Sequence, residues 1–150
     1  MAKFTKIIYQ VVFATRGRSA LMRDKEKRRR IHAYMTGMLQ KRNCFVYTIN
    51  GIEDHVHVLF GLSTTHALGA VVKDIKLGTG KYAREELHIA QFYWGKGYGA
   101  FTYSNDSLPS LIAYIEQQEE HHRKKTFREE LIQLLKRHDV TYEEAWLDDM

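Results

Sequence analysis

Apolar positions recur with two different periods along this chain, and the two periods mark its predicted strands and helices. Runs rich in β-branched and aromatic residues predict strands at residues 4–15, 45–52, 55–62 and 97–103. Apolar residues at helical spacing predict helices at residues 24–41, 67–87, 106–125 and 128–138, followed by an aromatic tail. Asp106 and Ser107 are predicted to cap the third helix, with Pro109 in its first turn.

The order of these elements predicts an α+β fold. Strand, helix, strand, strand, helix, strand is the split βαβ pattern of ferredoxin-like domains, a fold shared with RNA-recognition motifs (RRMs). We therefore expect an antiparallel sheet with helices on one face and an additional C-terminal helix. The chain contains one proline and no repeat or low-complexity tract, so a single domain over residues 1–150 is expected.

Composition is typical of a globular protein and narrows its expected location. Hydrophobic residues make up 44% of the sequence and aromatic residues 12%, which argues against disorder. No apolar stretch approaches the roughly 20 residues of a membrane helix, and no signal-peptide pattern follows the apolar run at residues 7–14. Cys44 is the only cysteine, so it has no partner for an internal disulfide. These features predict a cytoplasmic protein without membrane contact.

The net charge of +5 is concentrated at the front of the chain. Residues 1–50 contain 12 lysines and arginines against two acidic residues, whereas residues 51–125 contain 8 basic and 9 acidic residues. This asymmetry favours a polyanionic partner, most simply nucleic acid. The basic run at residues 25–30, taken alone, is more typical of a solvated helix face.

Two histidines share one face of the third predicted strand, within GIEDHVHVLF at residues 51–60. Side chains alternate along a strand, so His55 and His57 lie on one face, and the valines and Phe60 lie on the other. A His-x-His pair alone is a weak motif. It needs a third partner before it indicates chemistry.

The helix predicted over SLPSLIAYIEQQEEHHRKK carries polar residues beside its apolar stripe. At about 100° per residue, Gln118, His121 and Lys125 fall on the same side as Tyr114, away from the leucines and isoleucines. A helix whose polar side faces water has the same pattern, with Tyr114 as a boundary aromatic. The helix by itself favours this second explanation.

Together, the strand and the helix resemble those of the single-tyrosine HUH transposases, the small enzymes of the simplest bacterial insertion sequences and their REP-associated relatives. HUH stands for histidine, hydrophobic residue, histidine, here His55, Val56 and His57. The segment YIEQQEEHH is similar to the nucleophile helix of the family, and DHVHVLF and FYWGKGYGAF also look like family sequence. The resemblance extends over essentially the whole chain.

This resemblance implies a DNA transposase that cleaves and rejoins single-stranded DNA through a 5′-phosphotyrosine intermediate. It implies that Tyr114 is the nucleophile and that His55, His57 and Gln118 bind a divalent metal, Mg²⁺ or Mn²⁺. The implied partner is single-stranded or hairpin DNA. The resemblance also implies a homodimer in which each active site combines the metal pair of one chain with the tyrosine helix of the other.

The chemistry of strand cleavage fits these residue types. A cation held by two imidazoles and an amide oxygen acts as a Lewis acid on a phosphate, and imidazole ligands alone favour zinc, iron or manganese over magnesium. His121 is a candidate for assisting proton transfer or binding phosphate, whereas His122 points about 100° away from it. Asp54 is a candidate for orienting a histidine or adding a ligand, although an exposed turn residue is the simpler explanation. The candidate DNA contacts are the basic residues Arg16, Arg18, Arg28, Lys76 and Lys125.

Two other functions stay open on the sequence. KGYGAFTY at residues 96–103 comes close to the RNP1 motif of RRMs, which suggests a non-catalytic module that binds single-stranded nucleic acid. Against this, Ala100 stands where the motif has an aromatic residue, and the segment follows the second helix and not the first hairpin. A metal-dependent nuclease that uses water would keep the metal site and leave Tyr114 without a role.

Overall fold

The computed structural model describes residues 2–150, and in them the sheet has the predicted topology. The strands are β1 (Ile8–Ala14), β2 (Phe45–Gly51), β3 (His55–Gly61) and β4 (Gly99–Tyr103). The helices are α1 (Lys25–Lys41), α2 (Leu68–Glu85), α3 (Leu108–Glu116), α4 (Gln118–His121) and α5 (Phe127–Arg137). The strand order is β2-β3-β1-β4, and all neighbouring strands are antiparallel. This arrangement confirms the ferredoxin-like α+β prediction.

Helices cover both faces of the sheet. α1 and α2 pack on one face in the larger apolar core. α3 and α5 pack on the opposite face in two smaller apolar clusters. His55 and His57 belong to this second face, because they pair with Ala14 and Val12 of β1, whose side chains pack towards α5. The C-terminal helices therefore lie directly over the two histidines.

The hairpin between β2 and β3 fixes the start of the histidine strand. A Cβ atom at Gly51 would lie 2.1 Å from the backbone oxygen of His55, so the close approach of the two strands requires glycine there. Both His55 and His57 are completely buried in the strand that follows.

The predicted helix over residues 106–125 is wrong in two respects. It begins at Leu108, and Ser107 makes no side-chain cap, although Pro109 does lie in the first turn. The helix also breaks at Gln117 (φ −102°, ψ 28°), and the short α4 that follows ends at His121. The break changes the direction of every side chain beyond Gln117.

The other elements agree closely with their predicted ranges. The largest difference is at β1, which begins at Ile8 and not at residue 4. Thr126 and Glu129 form a capping box that fixes the start of α5. Within residues 2–150, no helix has the length and apolar character needed to cross a membrane.

The aromatic side chains of β4 do not form an open surface for stacking bases. Phe101 is buried beneath α5, with its ring centroid 4.8 Å from that of His138. The Tyr103 hydroxyl accepts a hydrogen bond from Gln10 at 2.6 Å. RRMs stack bases on exposed rings of their sheet. The covered ring of Phe101 therefore argues against the RNA-binding alternative.

Candidate active site

Five polar side chains meet in a buried cluster between the sheet and the C-terminal helices. We call them the histidine cluster; they are His55, His57, Gln118, His122 and Glu130. β3 supplies the first two, α4 supplies Gln118, the turn after α4 supplies His122, and α5 supplies Glu130. The side chains of the three histidines and Glu130 are each 3% exposed or less, so solvent contributes little to their hydration.

The oxygen Oε1 of Glu130 lies among the three imidazoles. It is 2.8 Å from His57 Nε2, 3.0 Å from His122 Nε2 and 3.5 Å from His55 Nε2. The amide oxygen of Gln118 is 3.0 Å from His55 Nε2 and 3.1 Å from His122 Nε2. Three imidazole nitrogens therefore face one carboxylate oxygen and one amide oxygen.

The second oxygen of the same carboxylate contacts Tyr114. The Tyr114 hydroxyl donates a hydrogen bond to Glu130 Oε2. The amide nitrogen of Gln118 donates to this oxygen as well, at 3.1 Å. Tyr114 is half-buried, so it keeps some contact with solvent. Glu130 therefore connects the tyrosine hydroxyl with the three histidines.

Two of the imidazoles have their tautomer fixed from outside the cluster. His55 Nδ1 donates to Asp54 Oδ1 at 2.7 Å, and His122 Nδ1 donates to the backbone oxygen of Lys125 at 2.8 Å. A carboxylate and a backbone carbonyl can only accept, so the hydrogen of each neutral imidazole is on Nδ1. When these two rings are neutral, the Nε2 atoms of His55 and His122 point lone pairs into the cluster, whereas a protonated His55 donates from Nε2 instead.

The centre of the cluster has the character of a cation site. When both imidazoles are neutral, these two lone pairs face carboxylate and amide oxygens with no hydrogen between them. Acceptors in such contacts repel one another, and a proton or a cation between them would remove the repulsion. Ligand atoms of His55, His122 and Glu130 all lie within 4.8 Å of one another. Imidazole and carboxylate groups bind divalent transition metals, and outer hydrogen bonds like that from Asp54 orient the ligands in such sites. The donor set therefore fits a divalent cation.

Burial and hydrogen bonding set the protonation states in the cluster. Burial tends to raise the pKa of Glu130, but hydrogen bonds from the three histidines hold this pKa well below its usual range. Burial tends to lower the pKa of His55, but hydrogen bonds to Asp54 and Glu130 outweigh it and raise the pKa to about 9. Burial and the adjacent Glu130 both raise the pKa of Tyr114. Without a bound cation, Tyr114 is therefore a neutral phenol.

The two residues predicted to assist lie beside the cluster. Asp54 orients His55 through the hydrogen bond to Nδ1 and is not a free turn residue. The His121 ring stacks on the Tyr114 ring, with centroids 4.2 Å apart. His121 Nε2 is buried, and among residues 2–150 it has no hydrogen-bond partner. His121 therefore packs against the ring of the tyrosine, whereas His122 enters the cluster.

The five basic residues predicted to contact DNA lie in different surroundings. Arg16 and Lys76 line one open cavity beside α2. Arg18 donates to the backbone of the C-terminal tail, and Arg28 is 8% exposed and paired with an acidic residue of α4. Lys125 donates to a glutamine of α5 at 2.8 Å. Arg18, Arg28 and Lys125 therefore have partners within the chain, whereas Arg16 and Lys76 line the cavity.

Three residues of the site were not predicted from the sequence, and each had a local signal. Gln10 is the polar residue of the apolar strand β1, and its Oε1 lies 2.7 Å from His57 Nδ1. Glu130 lies on the apolar stripe of α5, where a carboxylate is seldom buried without partners. His122 was predicted to point elsewhere, but the break at Gln117 and the end of α4 turn it into the cluster.

Comparison with known proteins places these features in a family. The model of the family "Transposase IS200 like" matches residues 3–118. This range includes His55, His57, Tyr114 and Gln118, and it ends before His122 and Glu130. No curated protein matches the sequence.

Two solved structures share the fold. A provisionally named transposase from Deinococcus radiodurans R1 has a TM-score of 0.60 and 19% identity, over 79% of this chain and 95% of that one. A REP-associated tyrosine transposase bound to a REP hairpin has a TM-score of 0.60 and 11% identity, over 81% of this chain and 72% of that one. The family match covers most of the sequence, from the first strand to the residue after the break in the tyrosine helix. The chain belongs to the IS200-like transposase family.

Proposed function

We propose that this transposase cleaves and rejoins single-stranded DNA, with Tyr114 as the nucleophile and the histidine cluster as the binding site of a divalent cation. One observation carries the proposal: a single carboxylate, that of Glu130, contacts both the Tyr114 hydroxyl and the three imidazoles. This shared carboxylate holds the phenol oxygen beside the proposed ligands of the cation. The contact supports one site with both functions.

The ligand types in the cluster bear on the identity of the cation. We infer that His55, His57, His122, Gln118 and Glu130 hold it, because their donor atoms converge. Three imidazoles and one carboxylate favour Mn²⁺ over Mg²⁺. When bound, a divalent cation supplies positive charge that neutralises the scissile phosphate and offsets the charge of Glu130 beside the phenol.

The residues around Tyr114 have distinct tasks in this proposal. The phenol oxygen forms a bond to phosphorus while the bond from phosphorus to the 3′ oxygen breaks. Glu130 Oε2 accepts the hydrogen bond of the phenol and so orients its oxygen. Because the pKa of Glu130 is held low, the phenol proton passes on to water. The 3′ oxygen leaves as a hydroxyl after taking a proton from water. Attack of another 3′-hydroxyl on the resulting 5′-phosphotyrosine reverses the step, so strands are joined without ATP.

Tyr114 and the histidine cluster are in contact within a single chain through Glu130. Tyr114 lies over the histidines of its own sheet, which supports cleavage in cis. A homodimer that exchanges tyrosine helices between chains stays a prediction of the family resemblance. The substrate that we propose is single-stranded or hairpin DNA, supported by the basic front of the chain and by the similar structure bound to a REP hairpin.

We expect the purified protein to form a covalent complex with single-stranded DNA in the presence of Mn²⁺. The complex should persist on a denaturing gel, because a phosphotyrosine bond survives loss of the fold. A 5′-labelled and a 3′-labelled strand should differ, and only the 3′-labelled strand should move with the protein. EDTA should prevent the reaction by removing the cation. Cleavage without a covalent complex would instead support the nuclease that uses water.

A further inference from the structure

An open cavity of 370 Å³ lies between α2 and the segment before β4, away from the histidine cluster. Five basic side chains line it: Arg16, Lys73, Lys76, Arg84 and Lys96. Three aromatic residues, Tyr93, Trp94 and Tyr98, complete its polar and aromatic wall. Its lining includes no acidic residue. Such a cavity attracts an anion that also has a flat apolar part.

The aromatic wall is organised around Tyr93. The guanidinium of Arg16 lies 4.6 Å from the ring centroid of Tyr93, and that of Arg84 lies 4.5 Å from it. Arg84 is held in place by a hydrogen bond to the backbone oxygen of Phe92 at 2.9 Å. Tyr98 remains 41% exposed, so its ring is available to a ligand.

The cavity also contains a lysine whose charge has no acidic partner among the lining residues. Lys76 is partly buried, and its Nζ donates to the backbone oxygen of Gly97 at 2.9 Å. Lys73, three residues earlier on α2, is exposed at the same cavity. An anionic group between these ammonium groups would gain interactions that the free protein lacks.

The cavity is joined to the histidine cluster by a short stretch of backbone. The amide of Arg16 donates to the backbone oxygen of Tyr93 at 2.8 Å, and the amide of Thr15 donates to that of Asp54 at 2.9 Å. Asp54 in turn orients His55. One end of β1 therefore lies between the cavity and the histidine cluster.

We propose that this cavity binds one unpaired nucleotide of the DNA strand that is cleaved, with its base against Tyr98 and its phosphate between the lysines of α2. The inference rests on the proposed function for the identity of the ligand. A volume of 370 Å³ lies within the range of small-ligand sites. Aromatic rings and cations are the two features that proteins use to hold single-stranded nucleic acid.

The test measures binding of a labelled single-stranded oligodeoxynucleotide by fluorescence anisotropy in EDTA, where no cleavage interferes. Tyr98→Ala should weaken binding about 5-fold or more, the effect of losing one stacked base. Lys73→Gln should weaken binding as well. Lys81→Gln is the matched control, because Lys81 is an exposed lysine of α2 outside the cavity. We expect it to bind within about twofold of the wild type, as one distant charge contributes little at physiological salt.

A scan with single abasic sites identifies the nucleotide independently of any folding defect. One position should exist where removal of the base weakens binding to the wild type but not to Tyr98→Ala, because the variant has already lost that contact. Equal affinities of Tyr98→Ala, Lys73→Gln and Lys81→Gln, or an abasic effect of the same size in Tyr98→Ala, would overturn the proposal. A protein that binds normally in EDTA and forms no covalent complex in Mn²⁺ would count against Tyr114 and not against the cavity.

Discussion

Replacement of Glu130 by glutamine is expected to abolish the covalent complex and to lower the affinity for Mn²⁺ by at least about 100-fold. Mutation of a residue that only orients a metal ligand lowers metal affinity by up to about 100-fold, and loss of a ligand itself should cost at least as much. Glu130→Gln keeps the shape of the side chain but removes the negative charge that faces three imidazoles. It also places an amide where the carboxylate accepts the Tyr114 hydroxyl. Electron paramagnetic resonance of free Mn²⁺ measures the affinity directly.

The matched control for this variant is Glu116→Gln. Glu116 is an exposed carboxylate at the end of α3, and the same substitution there leaves the histidine cluster untouched. We expect normal Mn²⁺ binding and a normal yield of the covalent complex. A Glu130→Gln protein with wild-type Mn²⁺ affinity would show that this carboxylate is not a ligand, whatever happened to cleavage.

Replacement of Tyr114 by phenylalanine is expected to eliminate the covalent complex completely. The change removes one oxygen, the proposed attacking atom, and leaves the ring stacked on His121. The lost hydrogen bond to Glu130 should cost about 1–3 kcal/mol of folding free energy, which a thermal melt detects. Binding of Mn²⁺ and of single-stranded DNA should persist, because the ligands of the cluster remain.

Tyr47→Phe is the control for the tyrosine variant. Tyr47 is partly buried in the same apolar cluster beside α3 as Tyr114. It makes no hydrogen bond to a titratable group of the histidine cluster. The control should keep full activity. If Tyr114→Phe still cleaved DNA without becoming attached to it, a water-activating nuclease would describe the protein better.

The sheet and the principal site residues could be predicted because their signals are local. Alternation along a strand places His55 and His57 on one face whatever lies above them. The spacing of Tyr114 and Gln118 survives the break at Gln117, because both side chains still reach Glu130. The expectation of helices on one face and a further C-terminal helix also follows from the order of elements.

The rest of the site depends on packing between distant segments. No proline or glycine near Gln117 indicates in the sequence that the helix breaks there. The break directs His122, and not His121, into the histidine cluster. Glu130 lies on a separate helix, α5. The spacing of apolar residues along α5 does not determine where this helix packs on the sheet. Its position on the apolar stripe of α5 signals a buried charge, but the partners of that charge emerge only from the fold.

The measurement that tests the central claim most directly is the location of the DNA on the protein. The covalent complex is trimmed with a nuclease and digested with trypsin, which releases residues 97–123 as one peptide containing Tyr98, Tyr103 and Tyr114. Tandem mass spectrometry then assigns the nucleotide to one tyrosine from the fragment masses. The proposed mechanism predicts the added mass on Tyr114 alone. An added nucleotide on any other tyrosine would contradict it.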